Sequence, residues 1–74
     1  MDVRLRILEY IKSKENPSFY QMSNDLELRT EMVARELKIL IEQGYVVAYP
    51  DATYLLTPSG LRELSQLKGE FPHE

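Results

Sequence analysis

Little in this chain is equipped for covalent or acid–base chemistry. The single histidine, His73, stands in a C-terminal tail, where no fixed neighbour would hold it as a base or a metal ligand. There is no cysteine, which removes thiolate nucleophiles, thiolate metal sites and disulfides. The serines have no base beside them to activate them. Gly44, Gly60 and Gly69 are isolated and form no phosphate-cradling loop. The carboxylates are spread through helical segments as solvated charges, and Asp25 with Arg29, like Glu31 with Arg35, stands four apart and reads as a local ion pair rather than an acid–base pair. No enzymatic activity, metal or cofactor is expected. What remains is noncovalent: Glu31, Ala34, Arg35, Lys38 and Glu42 gather on or near one side of a helical pattern, offered to solvent or to a partner.

A helix must present them. Met32, Val33, Leu37, Leu40 and Ile41 fall close to its other face at about 3.6 residues per turn and need a core to cover them. Thr30 is expected to cap its start, and Gly44 its end, where a left-handed residue costs least. Before it, Asn16-Pro17-Ser18 breaks the chain, Ser18 caps a short helix from about Phe19 to Leu26, and Glu27-Leu28 forms a tight break. Phe19, Met22 and Leu26 are the inward side of that short helix, while Tyr20, Gln21 and Asn24 point outward. The stretch Ser18–Val46 thus has the grammar of a helix-turn-helix.

The rest of the chain supports those two helices. A first helix from about Asp2 to Lys14 lines Val3, Ile7, Tyr10 and Ile11 on one face with Leu8 beside them, and Leu5 lies off that stripe. After Gly44, Tyr45–Tyr49 and Thr53–Thr57 are expected to pair as a hairpin across Pro50-Asp51-Ala52. Thr57-Pro58 opens a last helix with Leu61, Leu64 and Leu67 on its apolar side, and Gly69 ends it. The organisation is one domain over residues 1–68 and a flexible tail over 69–74. The fold class is α+β, mainly α: a three-helix core, a short hairpin and a C-terminal helix.

In that order of elements the chain resembles the winged helix-turn-helix domains of small prokaryotic and archaeal transcription regulators. The resemblance is carried by Phe19, Met22 and Leu26, by Leu28 in the turn, by Val33, Leu37 and Leu40, by Glu42-Gln43-Gly44-Tyr45-Val46 as the exit into the wing, and by Tyr54 to Leu61 as the return strand running into the closing helix. It spans Val3 to Leu67. One departure is the turn, where such domains often hold a glycine and this chain has Glu27; other residues adopt a turn there at modest cost.

The resemblance implies a sequence-specific double-stranded DNA-binding regulator whose helix 30–43 enters the major groove. Thr30, Ala34 and Arg35 would then face base edges, Arg29 and Lys38 phosphates, and Glu31 either a cytosine amino group or the phosphates it repels. Net charge works against bulk attraction: it is −3, with a pI of about 5.1, so binding would rest on local clustering. The hairpin adds none, having Asp51 at its tip and no basic residue from Tyr45 to Thr57. Tyr45, Tyr49 and Tyr54 have places in the hairpin and are not a single-strand stacking platform. Because 74 residues bury a modest core, a homodimer is expected, with Leu5, Leu61, Leu64 and Leu67 as its interface. The acidic balance and uncharged wing keep open the alternative of a winged-helix module that binds protein instead of DNA. The N-terminus, MDVRLRILEYIKSKE, breaks every apolar run with charge, so neither a signal peptide nor a membrane span is expected, and the cytoplasm is the default location.

Overall fold

A computed structural model describes residues 2–69, so His73 and the expected tail beyond Gly69 lie outside the described residues. The first helix, α1 (Val3–Ser13), starts where the Asp2 carboxylate accepts from the Leu5 amide at 3.2 Å, filling one of the donor vacancies every helix start carries. Asn16, with φ 52°, and Pro17 turn the chain into α2 (Phe19–Leu26), capped by the Ser18 hydroxyl, which accepts from Gln21 N at 3.4 Å.

The break after α2 is sharp. Glu27 takes the left-handed conformation, φ 55° and ψ 43°, at the position where a glycine is usual. Buried Ser23 closes the turn from both of its backbone neighbours' sides: its hydroxyl donates to the Leu28 carbonyl at 2.7 Å, and Leu28 N donates back to the Ser23 carbonyl at 3.0 Å. A residue with a Cβ in this conformation carries a cost of about 1–2 kcal/mol, part of which glycine loses again through its freer unfolded chain. Glu27→Gly is therefore expected to stabilise by about 0.5–1 kcal/mol, visible as a Tm rise of several degrees. A lower Tm would mean that the Glu27 side chain contributes more than its backbone costs.

The next helix, α3 (Thr30–Glu42), corrects one expectation about its start. Its N-cap is Arg29, whose backbone is extended (φ −64°, ψ 142°) and whose carbonyl accepts from Met32 N and Val33 N, both at 3.1 Å; Thr30 is already helical and its hydroxyl donates to Glu31 Oε2 at 3.3 Å. A cap must stand just outside the helical geometry, and Thr30 stands inside it. The other end is as read: Gly44 has φ 79°, with Gly44 N on the Ile41 carbonyl at 3.0 Å and Tyr45 N on the Leu40 carbonyl at 2.9 Å.

Two antiparallel strands follow, β1 (Val46–Ala48) and β2 (Tyr54–Leu56), with Val46 opposite Leu56 and Val47 opposite Leu55. Alternation sends Val46 and Leu56 inward and leaves Val47 and Leu55 exposed. Thr53 bridges Ser18, and Tyr54 N donates to the Pro17 carbonyl at 3.2 Å, which fastens the hairpin to the start of α2. The last helix, α4 (Pro58–Leu67), has Thr57 as cap and proline at its first position. The Thr57 hydroxyl accepts from Gly60 N at 3.0 Å and donates to the Gly44 carbonyl at 2.6 Å, so one side chain fixes both the start of α4 and the exit of α3.

The core is built from Ile7, Leu8, Tyr10 and Ile11 of α1, Met22 of α2, Val33, Leu37 and Leu40 of α3, Val46 and Leu56 of the hairpin, and Leu64 of α4. Met32 and Ile41, expected on the same face, are 41% and 38% exposed, because they lie on opposite flanks of the narrow arc that Val33, Leu37 and Leu40 define. Leu64, expected at a dimer contact, is 1% exposed; it belongs to the chain's own core. Leu5, which seemed to lie off the apolar stripe, is partly buried and packs on the core as well, as does Leu67. The reason is shared: α4 packs along α1, covering a second side of that helix which periodicity within α1 does not reveal. Tyr10 is buried, and its hydroxyl donates to Asp25 at 2.7 Å. Burial and then this carboxylate push the phenol up to about 12, so it remains a donor at any ordinary pH.

Candidate nucleic-acid interface

α3 can present a surface because its neighbours hold it from behind. Arg4 of α1 reaches Glu36 of α3 at 3.3 Å and Glu63 of α4 at 3.2 Å, and Lys68, just past the end of α4, reaches Glu9 of α1 at 3.1 Å. Arg6 donates to the Leu26 carbonyl at 2.8 Å, at the end of α2. Both arginines of α1 are thus committed to joining helices.

Opposite the buried line of Val33, Leu37 and Leu40, the positions 31, 35, 38 and 42 follow one another at helical spacing and form the outward stripe of α3. Its residues are Glu31, Arg35, Lys38 and Glu42, all exposed. Arg29, Thr30 and Ala34, the other residues expected at the interface, are exposed too, at the leading end of the helix and on the flank beside the stripe. Neither ion pair expected from spacing is drawn among the described residues. Asp25 takes the Tyr10 hydroxyl instead, and it cannot share a helix with Arg29, since α2 stops at Leu26. Glu31 holds the Thr30 hydroxyl, while Arg35 and Lys38 enter no ion pair among the described residues.

The stripe is electrically balanced, two acids and two bases, with the acids at its ends. It is neither a basic band nor an acidic one. The hairpin tip is acidic: the Asp51 carboxylate accepts from the Thr53 hydroxyl at 2.6 Å and from Thr53 N at 3.2 Å, bonds that hold its pKa below the ordinary value. The outer side of the hairpin is apolar, with Val47, Tyr49 and Leu55 each more than two-fifths exposed; Tyr49 therefore packs less than its place in the hairpin had implied. On the flank of α3 that faces the hairpin lies an open groove of about 420 Å³ lined by Phe19, Ala34, Leu37, Lys38, Ile41, Glu42 and Tyr54. No local pattern foretells it, because the apolar period counts Ile41 as core and the meeting of α2, α3 and β2 is a tertiary event.

Three helices with the third set across a sharp turn from the second, then a two-stranded hairpin and a closing helix, make a recognisable whole. The fold is a winged helix-turn-helix. Solved structures share it: a MarR/EmrR family transcriptional regulator from Acinetobacter sp. ADP1 superposes with a TM-score of 0.74 and 28% identity over 89% of this chain and 50% of that one. A protein of unknown function from Listeria innocua Clip11262 superposes with a TM-score of 0.78 and 22% identity, over 89% of this chain and 49% of that one. The chain therefore spans about half the length of these two proteins. No family model and no curated protein matches the sequence. Among the described residues no helix is long and apolar enough to cross a membrane, and no three His, Asp or Glu side chains are placed to hold a metal ion.

Proposed function

We propose that this chain is a sequence-specific double-stranded DNA-binding module of a transcription regulator, reading the major groove with α3 and acting as a cytoplasmic homodimer. The observation that carries the proposal is the likeness to the MarR/EmrR regulator, at 28% identity over 89% of the chain, which supports reading α3 as a recognition helix. Thr30, Ala34 and Arg35 meet base edges; Arg29 and Lys38 meet phosphates. The dimer draws on Leu61, 43% exposed, and on the partly buried Leu5 and Leu67, with Leu64 supporting them from inside. A two-fold arrangement would set the two α3 helices about one DNA turn apart, roughly 34 Å.

The charge pattern sets the expected behaviour. With about three basic side chains per subunit near the groove, a dimer neutralises roughly six phosphates, giving a log–log salt slope near −5. Arg35→Ala should lose about 1–3 kcal/mol on the preferred duplex and relax one base position, whereas Lys38→Ala weakens all duplexes alike and flattens the slope. The test is a titration against DNA from upstream of the chain's own gene, at low and near-physiological salt, with light scattering on the same samples. A monomer at high micromolar concentration would remove the palindromic reading.

A second reading, a winged-helix module that binds protein, is favoured by the balanced stripe on α3 and the acidic wing tip. It takes over if neither substitution alters DNA affinity while Arg35→Ala abolishes capture of a protein partner.

A further inference from the structure

We infer that Glu31 is a base-reading residue that selects cytosine, within about two base pairs of the guanine read by Arg35. The inference rests on the DNA-binding reading above and adds to it what the duplex must contain. Glu31 is exposed in the first turn of α3, the end of the helix that enters a groove, and it stands one turn before Arg35 on the same outward stripe. Its carboxylate has no cation paired to it among the described residues. It is steadied by the Thr30 hydroxyl at Oε2, 3.3 Å away, while no bond to Oε1 is drawn among the described residues.

An ionised carboxylate only accepts hydrogen bonds. In the major groove guanine offers N7 and O6, both acceptors, and thymine offers O4, another acceptor; adenine sets its amino group beside the acceptor N7. Cytosine alone presents an amino donor, N4, with no acceptor of its own beside it. Near phosphates, Glu31 therefore weakens contact with every sequence and recovers that loss where a cytosine amino group meets it. Arg35 has the complementary chemistry, donors only, and fits guanine N7 and O6 with two bonds. The two side chains stand four positions apart, about 6 Å along the helix axis, which matches roughly two base-pair rises of about 3.4 Å. The balanced stripe thus becomes a reading device: its acid makes non-specific binding poor and its acid and base together require a C and a G close by.

The experiment is enrichment of bound duplexes from a randomised DNA pool by the wild-type chain and by Glu31→Gln, Glu31→Ala and Arg35→Ala, with thermal melts confirming that each folds. The wild type should enrich cytosine at a position within about two base pairs of the guanine whose enrichment Arg35→Ala abolishes. Glutamine can pair with adenine N6 and N7, so Glu31→Gln should exchange cytosine for adenine at that position, a preference shift of about tenfold or more. Glu31→Ala should lose the preference there and keep the others. If both Glu31 variants retain the wild-type preference at every position and merely bind all duplexes more tightly, Glu31 only repels phosphate and the inference is overturned while DNA binding stands. If the wild type enriches no sequence and Arg35→Ala changes no affinity, the DNA-binding reading has failed and this inference with it.

Discussion

Gly60→Ala should destabilise the domain by about 3 kcal/mol or more, lowering its Tm by roughly 10–20 °C. In an ordinary helix the exchange would stabilise by about 1 kcal/mol, because alanine is the best helix former and glycine among the worst. Position 60 is not ordinary. It is buried in the first turn of α4, and a Cβ there would overlap the Tyr45 carbonyl oxygen and stand 3.0 Å from the carbonyl carbon. That carbonyl cannot swing away cheaply, since it accepts from Thr57 N at 3.0 Å, and Thr57 is tied in turn to the Gly44 carbonyl. The methyl group must push α4 off the hairpin, and with it Leu64, which fills the core. Gly44→Ala is the control: nothing lies within 4 Å of a Cβ there, and only the φ of 79° opposes it, so its cost should stay near 1–2 kcal/mol. Chemical or thermal unfolding of the two variants separates them. Equal losses would mean that α4 gives way cheaply against Tyr45, since Gly60 has no positive φ to require glycine on its own account.

This glycine marks the border of what the sequence makes legible. Starts and stops of elements depend on neighbours a few residues away, so Asp2, Ser18, Thr57-Pro58 and Gly44 could be read directly, as could the place of the turn at Glu27 but not its left-handed backbone. Val33, Leu37 and Leu40 could be read because one helical period places all three on one line. Contacts made by a distant element leave no such local trace. Leu5 and Leu64 looked available to a partner until α4 was seen packed along α1, and Gly60 looked like an isolated glycine until Tyr45 was seen against it. Nor does periodicity reveal that Arg4 joins three helices and that Arg6 holds the end of α2. For the interface, periodicity was enough to put Glu31, Arg35 and Lys38 on an outward side. The same period placed Glu42 with them, but it could not show the apolar groove that lies beside the stripe.

Leu37→Ala should cost about 2–5 kcal/mol, the range for emptying a buried leucine site. Leu37 is 3% exposed and sits in the middle of α3, with Val33 one turn before it and Leu40 about one turn after. Its side chain belongs both to the core and to the wall of the groove between α2, α3 and β2. That open wall lets Phe19, Ile41 and Tyr54 close partly over the space, which argues for the middle of the range. Even so, a domain of this size holds only about 4–11 kcal/mol in total, so the variant should be largely unfolded at a temperature where the wild type is intact. The same variant tests how α3 serves its proposed partner. If DNA is held by side chains of the outward stripe, which the substitution does not touch, the folded fraction keeps its intrinsic affinity. Apparent affinity then falls only by the fraction unfolded, and a preferred duplex at a hundred times its Kd restores about 2.7 kcal/mol of stability. Melts with and without that duplex measure both quantities. A Tm that does not rise with the duplex, in a variant still folded at low temperature, would mean that the Leu37 side chain itself is needed for binding.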